Sequence, residues 1–245
     1  IHIHYGLSAL FLLFFRPKKK IFVTFHGADI LKEQGHYIQV LISKYIAKKV
    51  DKVFILNDEM EVIMKKLKVP YEILPCGVDT DFFKDTVAQN KPDNSKLLLF
   101  SGDPERTVKN YPLFEKIVEN IKTKTNTNIL VDCVHNKNRE QVREILNQAD
   151  CLVMTSFSEG SPQIVKEALS CNLPVVSVPV GDIPTVINGI SSCYAASGHH
   201  ANELADLTLL AIENRSNSVR EEFLNKKLYE NKYICSKIYQ NYINN

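Results

Sequence analysis

Two glutamates, Glu159 and Glu167, lie with seven residues between them in the segment SEGSPQIVKEALSCNLPVVSVPVGD, which runs from Ser158 to Asp182. Ser161 is a typical N-cap, and Pro162 suits the first position of a helix because its missing N–H has no partner there. The pattern therefore predicts that a helix begins between the two glutamates.

A helix that begins at this point has chemical consequences. The free N–H groups of Gln163 and Ile164 would lie at its N-terminus, where the helix dipole adds partial positive charge. Such a helix start binds phosphate, so we expect a diphosphate there. Glu159 and Glu167 would flank the anion, and carboxylates accept hydrogen bonds from sugar hydroxyls. The alternative is that Glu159 is a loop carboxylate and Glu167 a solvated helix residue.

The elements around these residues alternate between short strands and helical periods, which is typical of βαβ units with parallel sheets. Four helical periods are visible, with the apolar sets Ile38-Leu41-Ile42-Tyr45, Met60-Ile63-Met64-Leu67, Phe114-Ile117-Val118-Ile121 and Val142-Ile145-Leu146-Ala149. Nine strands are predicted: 1–4, 21–26, 52–56, 71–74, 97–100, 129–134, 151–155, 175–178 and 193–195. Ligands of such sheets bind outside the carboxyl ends of the strands.

A polar stretch, KDTVAQNKPDNSK from Lys84 to Lys96, has almost nothing to bury and predicts a linker. We therefore expect an N-terminal Rossmann-like domain over residues 1–90 and a C-terminal one over 91–222. Residues 223–245 form a predicted helical tail with Leu228, Ile234, Ile238 and Tyr242 on its apolar side.

Composition excludes several classes of protein. A net charge of +2 does not indicate a nucleic-acid partner, and no GxGxxG or GxxxxGK[ST] motif supports a dehydrogenase or a P-loop enzyme. The longest apolar run, Ala9 to Phe15, is shorter than the roughly 18 residues that span a bilayer. Six scattered cysteines without metal-ligand spacing predict reduced thiols and a cytoplasmic protein.

The motifs together resemble a known family. Glu159 and Glu167, followed by ALSCNLPVVSVPVGD, resemble the EX7E motif of the family 4 retaining glycosyltransferases, whose GT-B fold has two Rossmann-like domains facing a cleft. HYGLSALFLL, VTFHGADI and LPCGVD resemble its amino-terminal landmarks, and SGDPERTVKNYPL, which contains Gly102, resembles its phosphate-binding strand-loop-helix. The resemblance is collinear over nearly the whole chain.

The resemblance implies roles for individual residues. Glu159 would contact the donor sugar and Glu167 the nucleotide ribose, while Arg106 and Lys109 would clamp the diphosphate. His26 would lie near the reaction centre, and the helical tail over residues 223–245 would cross back onto the first domain. Donor contacts would also come from Gly102, Gly160, Ser161, Gln163 and Ile164. Read without the resemblance, ERTVKN is a solvated loop, His26 is a structural histidine, and Asp29 caps the next helix.

The sequence departs from the family in two places. Where the family has glycine, a bulky residue and glycine, this chain has Gly160, Ser161 and Pro162. Because proline has no N–H, position 162 cannot donate a backbone hydrogen bond. The family's first strand and its glycine-rich loop have no counterpart, and the chain begins at Ile1 in what reads as a strand. We therefore expect an incomplete N-terminal domain with an unpaired sheet edge.

The basic run Arg16, Lys18, Lys19, Lys20 follows the apolar stretch Ala9 to Phe15. This pairing suggests peripheral contact with the inner face of the cell membrane. The alternative is a helix that is buried on all sides, followed by a solvated turn.

The function that the resemblance implies is metal-independent, retaining sugar transfer. The donor would be a nucleotide sugar, the acceptor a polysaccharide or glycolipid, and the leaving group a nucleoside diphosphate. One alternative is a catalytically inactive nucleotide-sugar-binding or partner subunit. Another is an epimerase of the same fold, for which paired acid and base groups are not visible.

Overall fold

The protein, described here from a computed structural model covering residues 1–31, 37–86 and 95–244, divides into two compact units. The first unit contains Ile1–Cys76, Ser158–Ser161 and Ile234–Asn245, and the second contains Gly77–Phe157 and Pro162–Tyr233. The predicted linker, 84–96, lies mostly outside the described residues. Gly77 and the residues up to Thr86 belong to the second unit, because Val78 and Phe83 are buried in its core.

The first unit is a parallel sheet with the strand order β1-β2-β3-β4, which follows the order of the chain. Its elements are β1 (His2–His4), β2 (Phe22–Thr24), α1 (Tyr37–Ala47), β3 (Lys52–Ile55), α2 (Asp58–Leu67) and β4 (Tyr71–Ile73). The core between the sheet and α2 is aliphatic and aromatic, with Val23, Val53, Ile55 and Met60 fully buried.

The second unit is a parallel sheet with the strand order β6-β5-β7-β8-β9. Its elements are β5 (Ser95–Phe100), α3 (Tyr111–Lys124), β6 (Asn128–Cys133), α4 (Arg139–Gln148), β7 (Cys151–Met154), α5 (Gln163–Ser170), β8 (Val175–Ser177), α6 (Ile183–Ile187), β9 (Tyr194–Ala195), α7 (Ala201–Glu213) and α8 (Val219–Asn225). Helices cover both faces of this sheet, and a buried hydrophobic cluster lies on each side of it.

The predicted single helix of the tail is two helices. After α8 the chain turns at Lys227, whose φ of 57° ends helical geometry, and α9 (Asn231–Asn244) begins four residues later. Ile234 and Ile238 of α9 pack against Phe22, Phe54 and Leu74 in the first unit.

The stretch that follows β1 is a 3₁₀ helix, Gly6–Leu13. Its buried residues are Gly6, Ala9 and Leu12, one every three residues, as expected when three residues make a turn. The remaining face is exposed, so the interpretation of this stretch as a helix buried on all sides is wrong. In the part of the chain that the structure describes, no helix combines the length and the apolar character needed to cross a bilayer.

Candidate functional site

The second sheet has a point at which its strand order reverses. From β5 the chain proceeds to β6 on one side of β5, and it then returns to β7 on the other. The loops that leave neighbouring strands diverge at such a point and open a crevice at the carboxyl edge of the sheet. The loop after β5 contains Gly102, Arg106 and Lys109, and the loop after β7 leads to α5.

In the loop after β5 the side chain of Lys109 lies against Gly102. A Cβ atom at Gly102 would lie 3.0–3.2 Å from Cε, Cδ and Cγ of Lys109, so a larger residue would displace that side chain. Thr107–Lys109 forms a short 3₁₀ turn, and Asn110, with a φ of 54°, leads directly into α3. The structure therefore brings Gly102 and Lys109 together as one surface, with the side chain of Arg106 exposed next to it.

Backbone and side-chain hydrogen bonds join this loop to the loop after β7. The hydroxyl of Thr155 donates to the carbonyl of Lys109 over 2.9 Å, and the N–H of Phe157 donates to the carbonyl of Val108 over 2.9 Å. Because these bonds fix the backbone of the basic loop, the scaffold holds Arg106 and Lys109 at the switch point.

Two buried serines at this edge were not predicted. Ser101 follows β5 and Ser156 follows β7 after one residue, and neither hydroxyl has a hydrogen-bond partner among the described residues. An unpartnered buried hydroxyl is costly, and both serines therefore have hydrogen-bonding capacity that the described residues do not use. Ser43 and Ser170 share this property away from the edge, so only the position of Ser101 and Ser156 is informative. The sequence signal was their place directly after two central strands.

The helix that carries Glu167 begins one residue later than predicted. Pro162, not Ser161, is the N-cap of α5, and no side chain caps this helix start. The hydroxyl of Ser161 instead accepts a hydrogen bond from the N–H of Cys76 over 2.9 Å. Gln163 and Ile164 are the first two helical residues, and, as predicted, their N–H groups lie in the first turn, which has no intrahelical acceptors for them.

Glu167 lies half-buried on α5. Burial raises the pKa of its carboxyl group to about 7, and the nearby charge of Arg139 opposes that shift. Arg139 is itself held by Asp79 at 2.8 Å and lies 4.1 Å above the ring centre of Phe82. Glu167 therefore changes its protonation state near neutral pH, and the interpretation of this residue as a fully solvated glutamate is wrong.

The remaining predicted residues lie in the first unit, and Asp29 organises the loop that contains His26. Its carboxylate accepts hydrogen bonds from the N–H of His26 at 2.8 Å and from the N–H of Gly6 at 2.9 Å. Asp29 is fully buried, and burial raises its pKa against the effect of these donors. It thus bridges the loop after β2 and the start of the 3₁₀ helix. The cap predicted for Asp29 cannot be followed to the next described helix, α1, because residues 32–36 lie outside the described residues.

His26 is part of a row of histidines. Its Nε2 lies 3.2 Å from Nδ1 of His4, and the rings of His4 and His2 stack with their centres 4.6 Å apart. Partial burial and the neighbouring His4 lower the pKa of His26, while Asp29 opposes the shift. An imidazole with a lowered pKa is neutral at physiological pH and both donates and accepts hydrogen bonds.

The segment Ser158–Ser161 lies against the same strand ends. Asn57 donates to the carbonyl of Gly160 over 2.8 Å, and a Cβ atom at Gly160 would lie 3.2 Å from the carbonyl oxygen of His26. A side chain at this position would require the neighbouring backbone of His26 to shift by a few tenths of an ångström. The first unit therefore brings Gly160, Ser161 and the half-buried Glu159 to the end of β2 that carries His26.

Two parallel α/β units, with a cationic loop at the switch point of the second, define a protein of the GT-B fold, and the predicted fold class is confirmed. The family follows from sequence comparison: a model described as "Glycosyl transferases group 1" matches residues 79–214, more than half of the chain. The chain belongs to this family. The narrower assignment to family 4 stays a prediction.

Curated relatives match shorter segments. The GPI3 subunit of phosphatidylinositol N-acetylglucosaminyltransferase from Saccharomyces cerevisiae is 33% identical over 82 residues, which are 34% of this chain and 17% of that protein. The putative teichuronic acid biosynthesis glycosyltransferase TuaC from Bacillus subtilis is 41% identical over 59 residues, or 24% of this chain and 13% of TuaC. The matched segments thus span less than a fifth of the length of these relatives.

Solved structures resemble the chain over nearly its whole length. Sucrose-phosphate synthase from Thermosynechococcus elongatus has a TM-score of 0.80 at 16% identity and covers 100% of this chain and 73% of its own. HepE from Anabaena, solved with UDP and glucose, has a TM-score of 0.74 at 12% identity, and the match covers 98% of this chain and 77% of HepE. TarM from S. aureus, solved with UDP, has a TM-score of 0.70 at 17% identity, and the match covers 92% of this chain and 51% of TarM. At these identities the likeness shows the fold alone.

Proposed function

We propose that this protein transfers a sugar from a nucleotide-sugar donor to a glycan or glycolipid acceptor and releases a nucleoside diphosphate. The carrying observation is the cationic loop at the switch point, where Lys109 lies across Gly102 next to Arg106. Its position, at the carboxyl edge between β5 and β7, is where open α/β sheets bind their ligands.

The chemistry of that edge suits a diphosphate. Arg106 forms paired hydrogen bonds to phosphate oxygens in this proposal, and Lys109 acts as a point charge. The hydroxyls of Ser101 and Ser156 supply two further donors, and the uncapped start of α5 supplies free N–H groups. Glu167, on the same helix, accepts hydrogen bonds from the ribose.

The reaction in this proposal forms one bond and breaks another on the same face of the sugar. The acceptor oxygen bonds to the anomeric carbon while the bond from that carbon to the diphosphate oxygen breaks, so configuration is retained. The departing diphosphate takes the acceptor proton. Negative charge grows on the diphosphate in the transition state, and fixed cations and N–H groups stabilise it there. This chemistry requires no metal ion, which stays a prediction.

His26 and Glu159 have separate roles in the proposal. The neutral imidazole of His26 donates a hydrogen bond to a hydroxyl or phosphate oxygen, and Glu159 accepts from the donor sugar. Because the six cysteines are free and Cys151, Cys171 and Cys193 are buried, we also infer a reducing compartment, and with it the predicted cytoplasmic location.

The test combines binding and turnover. UDP is the first probe, because similar structures were solved with it. Calorimetry with UDP should show binding to the unaltered chain and a loss of about tenfold or more for Arg106→Ala and for Lys109→Ala, since each removes a charged hydrogen bond. Lys116→Ala, an exposed lysine on α3, is the control that should leave binding unchanged.

Turnover then separates an enzyme from an inactive subunit. We expect UDP release from a panel of UDP-sugars and acceptors, and a loss of about a hundredfold in Glu159→Ala, with UDP binding kept. Binding of UDP without release from any donor would favour the inactive, partner-subunit alternative. Release that survives both Lys109→Ala and Glu159→Ala would overturn the assignment of the site.

A further inference from the structure

Helix α5 contains a lysine that is completely buried. The side chain of Lys166 is 0% exposed, and in the part of the chain that the structure describes no other lysine or arginine is buried. Its ammonium group lies 2.7 Å from Oδ2 of Asp182, whose side chain is 7% exposed. Both charged groups have lost most of their water, which is costly in free energy.

Stability alone is a poor explanation for this ion pair. The attraction between two buried charges often only balances the loss of their hydration, and apolar residues of similar volume in their place are often neutral or stabilising. The surroundings are apolar, since Val165, Ala168 and Leu169 of the same helix are fully buried in the core. A methionine at position 166 would suit them, so the pair calls for a reason other than stability.

Orientation of the helix is such a reason. Apolar contacts are not directional, and a core that keeps its volume and pattern loses its unique arrangement before it loses stability. A hydrogen-bonded ion pair is directional. Lys166 lies about 100° around the helix from Val165, and Glu167 lies about 100° further, on the side away from the core. A contact that fixes the direction of Lys166 therefore also fixes the direction of Glu167.

The groups that enclose Lys166 come from outside α5. Asp182 lies in the loop after β8, directly after Gly181, whose φ of 58° favours glycine. On another side the ring centre of Tyr229 is 5.6 Å from the ammonium group, and Tyr229 is 5% exposed. Tyr229 is held in turn, because its carbonyl accepts a hydrogen bond from the N–H of Val78 over 2.8 Å. The second unit thus supplies a fixed frame against which α5 is oriented.

We propose that Lys166 and Asp182 are positioning residues that fix the rotation of α5 about its axis. They thereby aim the carboxylate of Glu167, and the free N–H groups at the start of the helix, at the nucleoside diphosphate. Neither residue touches the donor, since both act through α5. The identity of the ligand rests on the proposed function, whereas the link between the pair and the orientation of α5 does not.

The decisive variant combines Lys166→Met with Asp182→Leu, which replaces the pair by apolar residues and leaves the net charge unchanged. We expect a melting temperature within about 3 °C of that of the unaltered chain. The affinity for UDP should fall about tenfold or more, because misplaced groups lose their hydrogen bonds to the ligand. The control combines Lys124→Met with Asp206→Leu, which removes an exposed ion pair between α3 and α7 and should change neither quantity.

A conservative variant separates position from stability. Asp182→Asn keeps a side-chain oxygen that accepts a hydrogen bond from Lys166 but removes the negative charge. We expect the melting temperature to fall by about 10 °C, because the buried ammonium group loses its counter-charge. The affinity for UDP should fall no more than about threefold, because the direction of α5 is kept. The double variant is then stable and binds poorly, and Asp182→Asn does the reverse.

Glu167 also shows the orientation of α5 without any ligand. Its carboxyl group can be followed by ¹³C NMR and identified by its absence in Glu167→Gln. We expect a pKa of about 7 in the unaltered chain and in Asp182→Asn. In the double variant, whose helix no longer shields this carboxyl group, the pKa should lie nearer to the usual 4.5.

Two outcomes overturn the proposal. One is a folded double variant in which Glu167 keeps its pKa or UDP binds with unchanged affinity, since apolar packing would then suffice to orient α5. The other is an affinity that follows the melting temperature in both variants, which would make the pair a stabilising contact only. If UDP does not bind to the unaltered chain, the proposed function is contradicted, and the titration of Glu167 still decides the role of the pair.

Discussion

Glu167 is a half-buried carboxylate whose ionisation costs stability. Its pKa is raised from the usual 4.5 to about 7 because the folded chain buries it. The folded state therefore holds this proton more tightly than the unfolded state does. Ionisation costs stability, little near pH 4.5, increasingly up to pH 7, and fully above that.

Glu167→Gln should for this reason stabilise the protein as pH rises. We expect a gain of about 3 kcal/mol at pH 8 and about 1 kcal/mol at pH 5, measured by urea-dependent hydrogen exchange in α5 and β7. Glu144→Gln, at an exposed position on α4, is the control and should have no such pH dependence. A gain that is equal at both pH values would contradict burial as the cause of the raised pKa.

At the residue scale the sequence predicted several of the candidate site residues, but it did not predict the hydrogen bonds that position them. The loop cations Arg106 and Lys109 were identified through the motif, whereas Ser101 and Ser156 were missed. Their hydroxyls become informative only when strand order is known, because that order makes their two strands neighbours. The capping role predicted for Ser161 is wrong, because the helix begins one residue later, and the hydroxyl of Ser161 accepts a hydrogen bond from the distant N–H of Cys76.

At the element scale all nine predicted strands are present, each within two residues of the predicted bounds. Strands of a parallel sheet that is covered on both faces are short, nearly continuous runs of apolar residues, and such runs can be recognised in the sequence. Helices α6 and α7 were missed, and the direction of the apolar stripe on α1 was not predictable. Periodicity shows that a helix has an apolar side, but only the packing of its neighbours shows where that side faces.

The packing of the 3₁₀ helix against α1 depends on the absence of a side chain at Gly6. A Cβ atom there would lie 2.0 Å from Oγ and 2.8 Å from Cβ of Ser43, and 3.2 Å from the ring of Phe25. We expect Gly6→Ala to lower the free energy of unfolding of the first unit by about 2–3 kcal/mol, because the two elements must separate. Thermal and urea unfolding would measure it.

The partner of the clash provides the control. In the Gly6→Ala background, Ser43→Gly removes both close contacts and should restore part of the loss, although glycine in a helix costs about 1 kcal/mol by itself. Ser8→Ala, at an exposed position of the same 3₁₀ helix, should be nearly neutral. If the two changes are additive, the close packing at Gly6 is not what limits stability.

At the scale of the whole molecule, helix α9 belongs to the first unit although it lies far from that unit's strands in sequence. Ile234 and Ile238 of α9 cover Phe22, Phe54 and Leu74 on the sheet. A polar network lies beside them: the ammonium group of Lys52 is 2.6 Å from Glu72 and 2.5 Å from Asn241. The amide of Asn241 also donates to Glu72 over 3.0 Å. Residues far apart in sequence thus form one cluster, which no local pattern predicts.

Ile238→Ala should accordingly loosen the first unit and leave the second unchanged. Truncating a partly buried isoleucine costs about 1–2 kcal/mol, so amide exchange in β2 and β3 should accelerate roughly tenfold, with no change in β5 and β7. Ile243→Ala, on the same helix but at a position 63% exposed, is the matched control and should leave both units unaffected. Acceleration in both units alike would mean that the two unfold as one cooperative body, and α9 would then support the whole chain and not the first sheet alone.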